Sequence, residues 1–214
     1  MTSETSPRSK RVPWREGRVL SIALRNGWFV LLQMLPRPFV AVFSEFRSED
    51  DWAGIELTSS NHLFVCSLNR SVLKRSQVHF HKGLAPAPDI QLPEWKINTR
   101  GFRNIILWAG TKEERTVMVS GGEGNIGLWR SFCEPGNVGD EYIPISTAVY
   151  DRYTEIELAH IRDYPEFNER LFLCSELEYN FDPLKELVFD RSIDPMCSNY
   201  LNIISGKRFS ECGY

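Results

Sequence analysis

The chain has 214 residues, of which 42% are hydrophobic and 25% charged, with a formal net charge of −3. This is ordinary globular usage; it excludes global disorder, and the length suffices for a core without disulfide or metal staples. The five cysteines are odd in number, widely spaced and free of any CxxC, which argues against a disulfide framework and for reduced thiols in the cytosol.

Residues 1–13 read as a flexible, polar leader without the apolar stretch of a signal peptide. No apolar run reaches the roughly 18 residues of a membrane span, so the expected location is cytoplasmic, with no membrane partner. Regular structure is expected from Trp14. Residues 17–24 alternate, with Val19, Ile22 and Leu24 apolar. Asn26-Gly27 follows as a hairpin signal, because both residues tolerate positive φ. Residues 28–35 form the return strand, apolar enough for burial on both faces. Residues 39–46 follow as a third strand, 61–68 as a fourth and 77–81 as a fifth. The polar connection at 47–60 carries Glu49, Asp50, Asp51 and Glu56. Five short antiparallel strands predict a meander or small curled barrel.

Residues 83–93 contain Pro86, Pro88 and Pro93 and predict a boundary. It would separate an N-terminal β-rich subdomain, 14–82, from a mixed α+β subdomain, 94–214, packed against it. In the second part, strands are expected around Trp95 and Ile97, at 105–108, 116–120 and 126–129. Residues 148–162 read as helical, with Ile156, Leu158, Ala159 and Ile161 apolar. Pro165 opens a helix through Phe167, Leu171, Phe172 and Leu177, and Asp182-Pro183 opens another before Leu184, Leu187 and Val188. Residues 193–214 stay ambiguous. The fold class is therefore α+β and β-dominated, with further strands and two or three short C-terminal helices after the meander.

Three constellations invite a chemical reading. Gly122, Gly124 and Gly127 fit G-x-G-x-x-G after a strand, but a dinucleotide site needs a helix to open there. Pro135 comes too soon, so a glycine-rich turn is the better reading. His79 and His81 share one face of a strand, yet His62 and Cys66 supply no recognised metal spacing. His160 stands beside Glu155, Glu157 and Asp163, a set that suits acid–base work or a plain amphipathic surface. No G-x-S-x-G, P-loop, HExxH or catalytic-cysteine signature occurs. The expectation is a protein that binds rather than catalyses, with no catalytic residue, no metal and no cofactor. Arg70, Lys74, Arg75, Lys82, Arg100 and Arg103 are too scattered, in an acidic chain, to predict nucleic-acid binding.

Charge is unevenly spread. Residues 1–103 hold fifteen Lys or Arg against nine Asp or Glu, whereas residues 134–190 hold four against fourteen. The acidic stretch reads as a solvated face or as a docking side for a basic partner.

The stretch from Arg15 to Val30, with Gly17, Val19, Ile22, Leu24, Gly27 and Trp28 in register, resembles the opening of the immunity protein 26 family of bacterial polymorphic-toxin systems. Residues 40–46 (VAVFSEF) look like the following strand. Arg18 and Ala23 depart from the family's usual Asp and Pro, and the likeness is confined to about the first fifty residues. The resemblance implies a cytoplasmic immunity protein that masks the active site of a cognate toxin domain, often a nuclease. Either the loop at Glu49, Asp50, Asp51 and Glu56 or the acidic stretch 134–190, with Asp151, Glu155 and Glu157, would then imitate a polyanionic substrate. Trp52 would anchor the interface or simply fold onto the barrel. A small enzyme or nucleotide binder using residues 122–127 or His160, and a peptide-reading adaptor, are the competing readings.

Overall fold

A computed structural model describes residues 12–134 and 137–214 of the chain. The fold is β-dominated α+β, built on a six-stranded, curled half-barrel sheet. Strands β1 (Val19–Ala23), β2 (Phe29–Met34), β3 (Phe39–Arg47) and β4 (His62–Leu68) form the expected antiparallel meander. A short helix, α1 (Arg70–Arg75), leads to β5 (Val78–Phe80), which pairs with β1. The leader expected over 1–13 falls almost wholly outside the described residues. Val12 and Trp14 already pack on the core, and the Trp14 indole donates to the Leu35 carbonyl at 2.9 Å.

The meander is apolar along its length because both of its faces are covered. Successive residues of a strand point to opposite sides. Leu20, Ile22, Val30, Leu32, Val40 and Val42 face one core, closed by Val72, Leu73 and the C-terminal Phe167, Leu171 and Cys174. Val19, Leu31 and Phe43 face the other way, onto Trp52, Leu57 and Ala87. The proline-rich segment is thus a lid on the second face. The buried Gln33 amide clamps it, donating to the Ala87 carbonyl at 3.1 Å and accepting from the Ala87 amide at 2.7 Å.

The remaining strands form two small sheets. β6 (Lys96–Thr99), β9 (Ile126–Glu134) and β10 (Asn137–Ile145) make one, in the order β10-β9-β6. β7 (Phe102–Leu107) and β8 (Arg115–Ser120) make a two-stranded hairpin. Strand β10 is absent from the sequence reading, and so is α1. The helix expected over 148–162 is instead a 3-10 turn, Thr147–Arg152, followed by irregular chain and a two-residue strand, β11 (Ile161–Arg162). That strand pairs in parallel with β4. Helices α2 (Glu166–Leu177) and α3 (Pro183–Val188) start where Pro165 and Asp182 signal them, the Asp182 carboxylate accepting from the Leu184 amide at 3.1 Å. The ambiguous tail contains α4 (Ser198–Ile204) between two 3-10 turns.

Residues 161–177 therefore complete the first sheet from the far side of the proline-rich segment. A buried ion network holds this arrangement. Arg170 grips Glu157 through bonds of 2.7 and 2.8 Å, and also bonds the Asn180 side chain and the Phe181 carbonyl. Arg162 pairs with Asp182 and, at 2.7 Å, with Glu166, which accepts a further 2.5 Å bond from Tyr200. Both guanidiniums are fully buried. Burial works against the carboxylates of Glu157 and Asp182, but the adjacent arginines outweigh it and hold both below the usual range.

Candidate functional site

The acidic loop between β3 and β4 splits into a buried half and an exposed half. Trp52 turns inward, with 3% of its surface exposed, and packs on Val19, Leu31 and Phe43. Its indole donates to Asp50 at 2.7 Å, and the Arg47 guanidinium lies 5.0 Å above its ring. Arg47 also bonds Glu45 and the Asp51 carbonyl, which fixes the loop. Glu49, Asp51 and Glu56 remain at the surface. Trp52 is therefore a core residue, and what it contributes to any contact is the rigidity of the loop.

Asp50 is the hinge between the halves. It reaches His79 Nδ1 at 2.6 Å and His81 Nε2 at 3.2 Å. Burial would raise its carboxyl, but hydrogen bonds from Ser21, Trp52 and His79 hold it below the ordinary value. Ser21, His81 and Asp50 superficially suggest a nucleophile, a base and its orienter. The same nitrogen, Nε2, faces both the Ser21 hydroxyl (3.0 Å) and the carboxylate, so the imidazole does not stand between them. Ser21 is also buried. This is a structural clasp between the loop and β5. His62 bonds the Ser59 carbonyl and Cys66 lies in the core, and no group of three potential metal ligands occurs among the described residues.

A different tryptophan occupies the surface. Trp28 leaves the Asn26-Gly27 turn with 42% of its surface exposed. Its backbone amide bonds Asn26, whose amide in turn bonds Ser175 (3.2 Å) and Glu176 (2.9 Å) on α2. The turn is thereby docked on a helix and the ring is presented from a fixed frame. Trp28, Phe46, Arg47, Glu49 and Asp51 line a shallow groove of about 400 Å³. An exposed aromatic thus stands beside two exposed carboxylates. Of the residues singled out in the loop, Glu49 and Asp51 line this groove and Trp52 does not.

The other expected site residues lie apart from this groove. Asp151 and Glu155 are exposed in the connection between β10 and β11, while Glu157 is consumed by Arg170 in the core. No hydrogen bond or ion pair joins them to the 47–56 loop among the described residues. Among the described residues the His160 side chain makes no hydrogen bond to Glu155, Glu157 or Asp163, and Glu157 is tied to Arg170. The glycine cluster links β8 to β9, with φ near +90° at Gly121 and Gly122. The chain continues as a strand, not a helix, and Arg103 fills the space beside Gly122. Among the described residues no helix opens at this cluster to meet a pyrophosphate. An apolar surface that the sequence reading missed is the outer face of the β7–β8 hairpin, where Phe102, Ile106 and Met118 are 76%, 63% and 68% exposed. Phe102 and Ile106 lie four residues apart on β7, an even spacing that puts them on one face, and Met118 of β8 stands opposite Asn104 between them.

No described helix is long and apolar enough to cross a membrane. No curated protein and no solved structure matches the chain. One family, described as "Domain of unknown function (DUF8309)", matches residues 9–194. The chain belongs to the DUF8309 family.

Proposed function

We propose that this protein acts by binding another protein, and that its partner is a basic toxin domain which it neutralises in the cytoplasm. The observation that carries this reading is the groove at Trp28. A large, pre-positioned aromatic beside Glu49 and Asp51 has the composition of an interface hot spot with a charged rim. Because Asn26 holds the turn on α2, little ordering entropy is lost on binding. The carboxylates would accelerate encounter with a cationic surface, as the substrate groove of a nuclease is. The resemblance of residues 15–46 to the immunity protein 26 family supplies the partner class. On this reading the protein masks a site and performs no chemistry of its own.

The test is affinity capture from the lysate of the source cell with the tagged full chain, in parallel with Trp28→Ala. One stoichiometric partner carrying a basic toxin domain, held by the native chain and lost by the variant, is the expected result. Equal capture by both chains would place the contact elsewhere, and the absence of a toxin domain among captured proteins would end the proposal.

A further inference from the structure

Two tight turns face one another at the β5 edge of the large sheet. The turn at residues 15–18 closes with the Arg18 amide on the Arg15 carbonyl at 3.1 Å, and that at 81–84 with the Leu84 amide on the His81 carbonyl at 3.2 Å. The His81 amide on the Val19 carbonyl, also 3.2 Å, ties them together. Between them lies an open cleft of about 670 Å³, within the ~300–1,000 Å³ usual for small-molecule sites.

The lining is chemically divided. Arg15, Arg18 and Lys82 supply three cations, against one carboxylate, Glu16. Elsewhere in the chain Arg25, Arg47, Arg103, Arg130 and Arg191 each hold a carboxylate. Among the described residues no carboxylate pairs with the three cations of the cleft. Arg18 donates instead to the Pro13 carbonyl at 3.0 Å and lies 4.8 Å above the Phe80 ring. Phe80, Leu84 and Pro86 form an apolar wall, and Phe80 is one of the exposed large hydrophobic residues of the fold. His81 belongs to the frame, because its ring is held by Ser21 and Asp50.

We propose that this cleft binds a small organic phosphate of nucleotide size. The phosphate meets Arg15, Arg18 and Lys82, and the organic body packs on Phe80 and Leu84. Unneutralised cations select the anion, and the apolar wall selects a phosphate that carries an apolar or aromatic group over a free inorganic one. The site is independent of the Trp28 groove, and its occupation needs no protein partner.

The experiment is calorimetric titration of the full chain at low salt with AMP, inorganic phosphate and adenosine, repeated on Arg15→Glu/Lys82→Glu. Both replaced side chains are exposed, so the variant should melt with the native chain. Saturable AMP binding, weaker phosphate binding, no adenosine binding and an AMP affinity at least about tenfold lower in the variant are expected. Adenosine binding as tightly as AMP, phosphate binding as tightly as AMP, an unchanged affinity in the folded variant, or no saturable heat with AMP at millimolar concentration would each overturn it.

Discussion

Arg170 and Glu157 face each other through two parallel hydrogen bonds of 2.7 and 2.8 Å, in a place from which water is excluded. A buried guanidinium that loses its carboxylate keeps the full cost of its desolvation. Glu157→Gln should therefore lower the unfolding free energy by about 3–5 kcal/mol in urea denaturation. The pair Arg170→Met/Glu157→Leu should lose less, since no charge is left unmatched. A single variant within about 0.5 kcal/mol of the native chain would show that the pair is hydrated.

The same network fixes the response to acid. Glu157 and Asp182 titrate below their ordinary values of 4.5 and 3.8, because Arg170 and Arg162 outweigh the effect of burial. The unfolded chain therefore takes up protons that the native chain refuses. Their stabilisation is complete above about pH 4.5 and is lost as the pH falls below it. The urea midpoint should be lower at pH 3 than at pH 6, and the decline should shrink in Glu157→Gln. A flat profile across that interval would contradict the assignment.

Trp28 and Trp52 should separate binding from folding. Trp52→Ala removes a buried ring and its bond to Asp50, at a cost of about 3–5 kcal/mol. Trp28→Ala, at an exposed site, should change stability by less than about 0.5 kcal/mol. It should weaken partner capture by tenfold or more, as expected for an anchor worth ~2 kcal/mol. Thermal melts and capture on the same two variants decide the matter, and a large stability loss in Trp28→Ala would count against the groove.

Gly127 is needed for close packing. A Cβ there would lie 2.4 Å from Tyr142 Cζ and 2.8 Å from the Ile143 carbonyl oxygen. Gly127→Ala should cost about 1–3 kcal/mol. Gly124→Ala meets nothing within 4 Å but has φ +75°, and should cost only about 1 kcal/mol of backbone strain. The order of the two melting temperatures is the readout, and a reversed order would refute the packing argument.

Burial pushes the thiols of Cys66 and Cys197 up to about 12 and that of Cys174 to about 11. At pH 8 none of these three should react with a disulfide reagent until denaturant is added. Rapid labelling of Cys66 in native buffer would mean that the sheet opens easily.

The meander was legible because β1 to β4 carry apolar residues throughout and Asn26-Gly27 marks the turn. The starts of α2 and α3 were legible at Pro165 and Asp182. Strand β10 was hidden by Pro144, which a central strand would reject. β10 lies at the edge of its sheet, where a missing amide is tolerated. The false helix over 148–162 arose from Ile156, Leu158 and Ile161 at loosely helical spacing. Leu158 in fact bridges to Ile97, and Arg162 is drawn into the ion network. Local sequence misleads on the two tryptophans, since the buried Trp52 stands in an acidic loop and the exposed Trp28 heads the apolar run 28–35. Only the register of β1 with β2 and the docking of Asn26 on α2 decide which ring meets solvent.

The helix that closes the inner face of the meander is encoded about 100 residues after β4, so a ribosome adding 5–20 residues per second needs roughly 5–20 s to deliver it. During that interval the nascent strands hold Leu20, Ile22, Leu32 and Val42 against nothing but one another and α1. Newly made chains are therefore a population that chaperones or neighbouring polysomes can capture, and slowed translation between codons 70 and 165 should lower the soluble yield.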